Sequence, residues 1–91
     1  MSYTLHQLEV FCKVVDKQSV TKAAEELFMT QPAVSIQLKN LQNQFQIPLT
    51  EVVGRKIFIT EFGMSLKEKA EKILEQVEDV QPLARYRTVH I

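Results

Sequence analysis

Ninety-one residues are enough for one small domain, with a core that stays marginal unless copies associate. Eleven basic and eleven acidic side chains cancel, which excludes a broadly basic nucleic-acid coat, and the single cysteine, Cys12, excludes an internal disulfide or a cysteine metal cluster. Two glycines, Gly54 and Gly63, cannot make a phosphate loop. No apolar run reaches membrane-spanning length and the start MSYTLHQ lacks a secretory h-region, so a reducing cytoplasm is the expected compartment.

In chain order, Thr4 and Gln7 form a capping box for a first helix whose face is Leu5, Leu8, Phe11, Cys12 and Val15. It should end near Asp16-Lys17-Gln18, with Cys12 a buried, inert thiol. Ser19 caps a second helix carrying Ala23, Ala24 and Leu27, and the alanines keep it thin enough for another helix to cross closely. Thr30 is the next cap, and Pro32 falls in a first turn, where its missing N–H costs nothing. The third helix is expected from Gln31 to about Phe45, with Val34, Leu38, Leu41 and Phe45 as its core stripe. Cap, thin helix, turn, cap and helix within twenty residues describe a helix-turn-helix.

At about 100° per residue, Pro32, Ile36, Lys39 and Asn43 lie opposite that stripe, flanked by Ala33 and Ser35, with Gln31 in the first turn. Leu27 to Thr50 contains one charge, Lys39, and no carboxylate, which suits an anionic partner. Ile36 is either an incidental exposed side chain or a contact for a thymine methyl in a major groove.

Pro48 breaks the chain, and LTEVVGRKIFIT then reads as two short strands around a basic turn. Arg55 and Lys56 at its tip would reach a phosphate or the minor groove, or simply be solvated. Thr60 caps a last helix in which Leu66, Ala70, Ile73, Val77 and Val80 follow heptad spacing, broadened by Phe62 and Leu74. Glu68 and Lys72 are placed for an i, i+4 pair. Three earlier helices supply the small core, so most of this stripe is expected to lack a partner within the chain and to bind a second copy. Pro82 should end the helix at about Gln81. The remainder, PLARYRTVHI, is a frayed tail, the start of an absent domain, or foreign sequence. His6 and His90 have no second ligand at metal spacing.

These elements together resemble the N-terminal DNA-binding half of LysR-type transcriptional regulators, from Leu5 to about Asp79. The landmarks are LHQLEVFCKVVDKQSVTKAAEELFMTQPAVSIQLKNLQ, then IPLTEVVGRKIFITEFG, then the long helix. The resemblance implies a mainly α fold with a small β-hairpin: a winged helix-turn-helix (1–60), a long dimerisation (linker) helix (61–81), and a tail or start of an effector domain (82–91). It implies a linker helix that pairs antiparallel with that of a second subunit, and transcription control in a bacterium or plastid. Full-length relatives would add an effector-binding domain of periplasmic-binding-protein type, for which ninety-one residues have no room. No cofactor is therefore expected in this chain.

Carried over by position, Thr30, Gln31, Pro32, Ala33 and Ser35 match the family's recognition-helix segment, Arg55 its wing-tip arginine, and Thr60 the cap before the linker helix. Two departures stand out. Ile36 replaces a common arginine, removing a bidentate guanine reader, and Pro48-Leu49-Thr50-Glu51-Val52 replaces P-L-F-x-R, removing a basic wing contact. The expected DNA-contacting set is Ser19, Thr30, Gln31, Pro32, Ala33, Ser35, Ile36, Lys39, Arg55 and Lys56. The expected dimer interface is Phe62, Leu66, Ala70, Ile73, Leu74, Val77 and Val80. The expected partners are double-stranded DNA and a second copy, with dimer or tetramer left open for the full length, and no membrane. A winged-helix dimerisation or protein-interaction module is the rival reading, favoured by zero net charge and opposed by the acid-free third helix. A molybdate-type regulator's DNA-binding domain would look similar. With no nucleophile–base pair, carboxylate dyad or metal set, no enzyme is expected.

Overall fold

The computed structural model describes residues 2–80 and 82–83. Four helices and one hairpin follow in the order α1 (Leu5–Lys17), α2 (Val20–Leu27), α3 (Gln31–Gln42), β1 (Thr50–Val53), β2 (Lys56–Ile59) and α4 (Glu61–Glu78). Each helix begins where a hydroxyl can satisfy an otherwise orphaned N–H. Thr4 and Gln7 complete a reciprocal capping box, and Ser19, Thr30 and Thr60 accept from Lys22, Ala33 and Gly63. α1 stops at Gln18, which takes a left-handed conformation at φ 52°.

α1 is the centre of the core, and it is buried on two sides rather than on the single face its sequence suggested. On one side Leu8, Phe11 and Cys12 meet Leu41 from α3, Leu49 from the hairpin root and Ala70 from α4. On the other, Val10 and Val14 meet Ala23, Ala24 and Val34, filling the helix-turn-helix. Val10 and Val14 have no solvent exposure, whereas Leu5, assigned to the core face, is 44% exposed. Tyr3, Phe45 and Phe62 stack in series, with ring centroids 5.8 and 5.6 Å apart, closing the bottom of the first cluster.

Three other expectations are corrected. α3 ends at Gln42 rather than near Phe45, because Gln44 and Phe45 donate three residues back, to Leu41 and Gln42, in a tightened turn. The ion pair on α4 is Lys67–Glu71 at 2.8 Å, and Lys67 also reaches Asp16 of α1 at 3.3 Å; Glu68 and Lys72 form no pair. Finally, α4 ends at Glu78, capped by Asp79, so Pro82 is not what terminates it. Gln81 and residues 84–91, with His90 and most of the tail, lie outside the described residues.

The apolar stripe of α4 divides along its length. Ala70 is fully buried against its own chain, and Phe62, Leu66 and Leu74 pack beside it. Ala70 is therefore not free for a second copy, contrary to expectation: α1 and the hairpin root already cover this half of the helix. Beyond it the helix projects. Leu74 still packs on the core there, but Ile73 and Val77, and Val80 just past the helix end, are 42%, 43% and 58% exposed, and the molecule is drawn out to 55 × 26 × 20 Å. Cys12 behaves as a buried thiol: desolvation first, then the nearby Glu71 carboxylate, pushes its pKa up to about 11.

Candidate nucleic-acid interface

The helix-turn-helix is fixed in shape by polar ties as well as by packing. Glu26 of α2 accepts from Lys17 at 2.6 Å and lies 3.7 Å from Lys13, which fastens α2 to α1. That hydrogen bond from Lys17 holds the Glu26 carboxyl below its ordinary pKa and raises that of Lys17. At the end of α2 the N–H groups of Phe28 and Met29 donate to the carbonyls of Glu25 and Ala24, and Met29 folds back onto the Val10 cluster. This 5→2 and 6→1 pair is a Schellman turn with Phe28 as its left-handed residue. α3 then starts on Thr30, whose hydroxyl accepts from Ala33 at 3.2 Å and keeps its own proton to donate. Ser19 is placed in the same way over Lys22.

The outer face of α3 is uncovered. Gln31, Pro32, Ser35, Lys39 and Asn43 are exposed, Ala33 is half-buried, and Ile36 is 57% exposed. Neither the hairpin nor α4 lies over this face. Between α3 and β1 there is a shallow cleft of about 240 Å3, lined by Ser35, Leu38, Lys39, Gln42, Leu49 and Thr50.

The hairpin is held to α3 by one side chain. Gln42 donates its amide to the Ile47 carbonyl at 3.0 Å and accepts from the Leu49 N–H at 2.7 Å. On the far side, Thr60 donates its hydroxyl to the Pro48 carbonyl at 2.7 Å, while its N–H donates to the Leu49 carbonyl. Four backbone groups of the Ile47–Leu49 segment are thus occupied, which fixes where the hairpin leaves α3. β1 and β2 pair antiparallel with Val53 opposite Lys56, so Gly54 and Arg55 form the tip. Gly54 has φ +63°, the first-position requirement of a II′ turn. Arg55 at the tip and Lys56, the first residue of β2, are both exposed.

Ion pairing sorts the charges that cancel in the total. Lys13, Lys17 and Lys67 are engaged by Glu26, Asp16 and Glu71 around α1, α2 and α4. Among the described residues Lys22, Lys39, Arg55, Lys56, Lys69 and Lys72 have no carboxylate within ion-pair distance. The first four are spread over the start of α2, the end of α3 and the hairpin tip, and the last two lie on α4. Lys22 was not among the residues singled out from sequence. The signal was available in its place in the first turn after the Ser19 cap, the end of a helix that crosses the backbone in helix-turn-helix docking. No group of three or more candidate metal ligands occurs among the described residues.

Comparisons with known proteins agree with this geometry. A family model described as bacterial regulatory helix-turn-helix protein, lysR family, matches residues 5–64. The HTH-type transcriptional activator CmpR of Synechocystis sp. (strain ATCC 27184 / PCC 6803 / Kazusa) is 48% identical over 80 residues, covering 85% of this chain and 26% of that protein. The chain spans about a quarter of the length of the curated relatives it matches. A BenM DBD structure in complex with catB site 1 DNA superposes with a TM-score of 0.84 at 34% identity, covering 91% of this chain and 92% of that one. Full-length CbnR complexed with its target DNA gives 0.81 at 28% identity, covering 90% of this chain and 28% of that one.

Proposed function

We propose that this chain, which belongs to the LysR family of bacterial regulatory helix-turn-helix proteins, binds double-stranded DNA through α3 and the hairpin and acts as the operator-reading part of a cytoplasmic transcriptional regulator. The observation that carries this reading is the face of α3 from Gln31 to Asn43. It is exposed and free of carboxylates, and it carries one cation, Lys39, near its end. A helix of that width enters a major groove, and the positive end of α3 at Thr30–Pro32 faces the phosphates at entry. Gln31 presents an amide to base edges, matching the N6/N7 pair of an adenine, and Ile36 an apolar surface to a thymine methyl. Ser19, Thr30, Ser35, Lys22, Lys39, Arg55 and Lys56 hold the sugar-phosphate walls. Two copies joined through the projecting end of α4 place two such helices on one face of the duplex, and so read an interrupted inverted repeat.

Two substitutions separate base reading from phosphate contact. Gln31→Ala is expected to lose about 1–3 kcal/mol of discrimination at one base pair in each half-site, measured by binding-site selection. An unchanged base preference would reject the assignment. Arg55→Ala is expected to weaken selected and random duplexes alike and to flatten the dependence of affinity on salt by about one ion. Loss confined to the selected site would make Arg55 a base reader. Net charge zero favours a protein-interaction module instead, and that reading predicts binding to duplex that is undetectable or independent of salt in a fluorescence anisotropy titration.

A further inference from the structure

Phe28 combines two costs at one position. Its ring is 97% exposed, the most of any large apolar side chain described, and its backbone is left-handed at φ 55°, ψ 41°. Phenylalanine gains nothing from water there, and its Cβ is crowded in a conformation that glycine or asparagine adopts readily. The fold asks only for the backbone: the N–H of Phe28 closes α2, and it is Met29, not Phe28, that turns inward to pack on the Val10 cluster. A glycine would serve the turn better and leave the core as it is.

What lies near the ring indicates its use. Phe28 is three residues before Gln31, a span of at most ~11 Å, close to the ~12 Å width of a major groove. With the start of α3 in a groove, the ring would come within reach of a strand that bounds it. The stretch from Leu27 to Thr50 holds no carboxylate to repel that strand. We infer that Phe28 packs its ring on a deoxyribose of the groove wall, a sequence-independent apolar contact that sets how deeply α3 enters. This rests on the DNA-binding reading above and adds to it a residue that neither charge nor hydrogen bonding would have selected.

The test uses the whole chain and opposes stability to binding. Phe28→Gly and Phe28→Asn should melt no lower than the parent, because both residues tolerate the left-handed turn. They should bind selected and random duplexes about fivefold or more weakly. Since the chain contains no tryptophan, Phe28→Trp supplies a unique emission at the site, expected to be quenched when duplex is added. If the parent binds duplex while both variants bind equally well and the Phe28→Trp emission does not change, the ring is not on DNA and a protein surface is its partner. Lower melting temperatures in both variants would also overturn the inference, since the ring would then be supporting the fold. A parent chain that binds no duplex at all would instead remove the DNA-binding reading, and this inference with it.

Discussion

Gly63→Ala is expected to destabilise the domain by about 2–4 kcal/mol, a large share of the roughly 5–13 kcal/mol available to ninety-one residues. Gly63 lies in the first turn of α4, where alanine would ordinarily gain about 1 kcal/mol of helix propensity. Space decides against it. A Cβ built there falls 2.1 Å from the Leu49 carbonyl oxygen and 2.9 Å from Ile59 Cγ1. The obstructing peptide cannot yield cheaply, because Leu49 accepts from the Thr60 N–H, its own N–H is held by Gln42, and its side chain is buried in the Phe11 cluster. Moving it would pull the hairpin root away from α3 and open the core together. Thermal denaturation followed by circular dichroism should show a fall of roughly 10–25 °C, and a change below about 1 kcal/mol would show that the peptide can move after all. Gly54→Ala makes the contrast. Nothing lies within 4 Å of a Cβ there, so only the positive φ is lost, at a cost of about 1 kcal/mol.

That difference between the two glycines shows what could be read in the chain beforehand. Caps, breaks and periodicity are local properties, so Thr4, Ser19, Thr30, Thr60, the hairpin turn and the four helices were legible in order. The outward face of α3 was legible for the same reason, since 100° per residue fixes which side chains oppose a buried stripe. Contacts between elements were not. Gln42 had no distinguishing mark as one glutamine among several, yet it joins α3 to the hairpin, and the close approach of Leu49 to Gly63 depends on the angle at which α4 leaves β2. The second buried side of α1, through Val10 and Val14, escaped because a helix enclosed on two sides loses the single apolar stripe that marks it. Phe28 escaped for a different reason: nothing local in the sequence marks an apolar residue between two helices, and only its backbone conformation and exposure set it apart.

The charge balance shows the same limit. A total of zero weighed against DNA, but the total carries no information on pairing. Once Glu26, Asp16 and Glu71 are engaged with lysines of α1 and α4, Lys22, Lys39, Arg55 and Lys56 remain without partners on α2, α3 and the hairpin, and Lys69 and Lys72 on α4. Few phosphate contacts per copy still follow, so a single copy should bind weakly and two linked copies are needed for an operator to compete with random DNA.

Substituting Ile73→Gln together with Val77→Gln is therefore expected to lower affinity for an inverted repeat about 100-fold or more while leaving affinity for an isolated half-site unchanged. Both residues are more than two-fifths exposed and neither is among the side chains packed on the core, so the domain should keep its fold and nearly its melting temperature. In a two-fold pairing each change appears twice, removing four apolar side chains from the shared surface. At about 1 kcal/mol or more for each, the dimer constant should weaken by roughly three orders of magnitude. Glutamine is chosen because it leaves net charge at zero and so does not alter attraction to phosphate, which a glutamate or lysine would do. Sedimentation velocity at micromolar concentration should report a monomer for the variant and a dimer for the parent. A variant that remains dimeric would move the interface off the projecting end of α4. One that becomes monomeric yet binds the full repeat undiminished would mean that each copy reads DNA alone, and the two-fold operator would have to be abandoned.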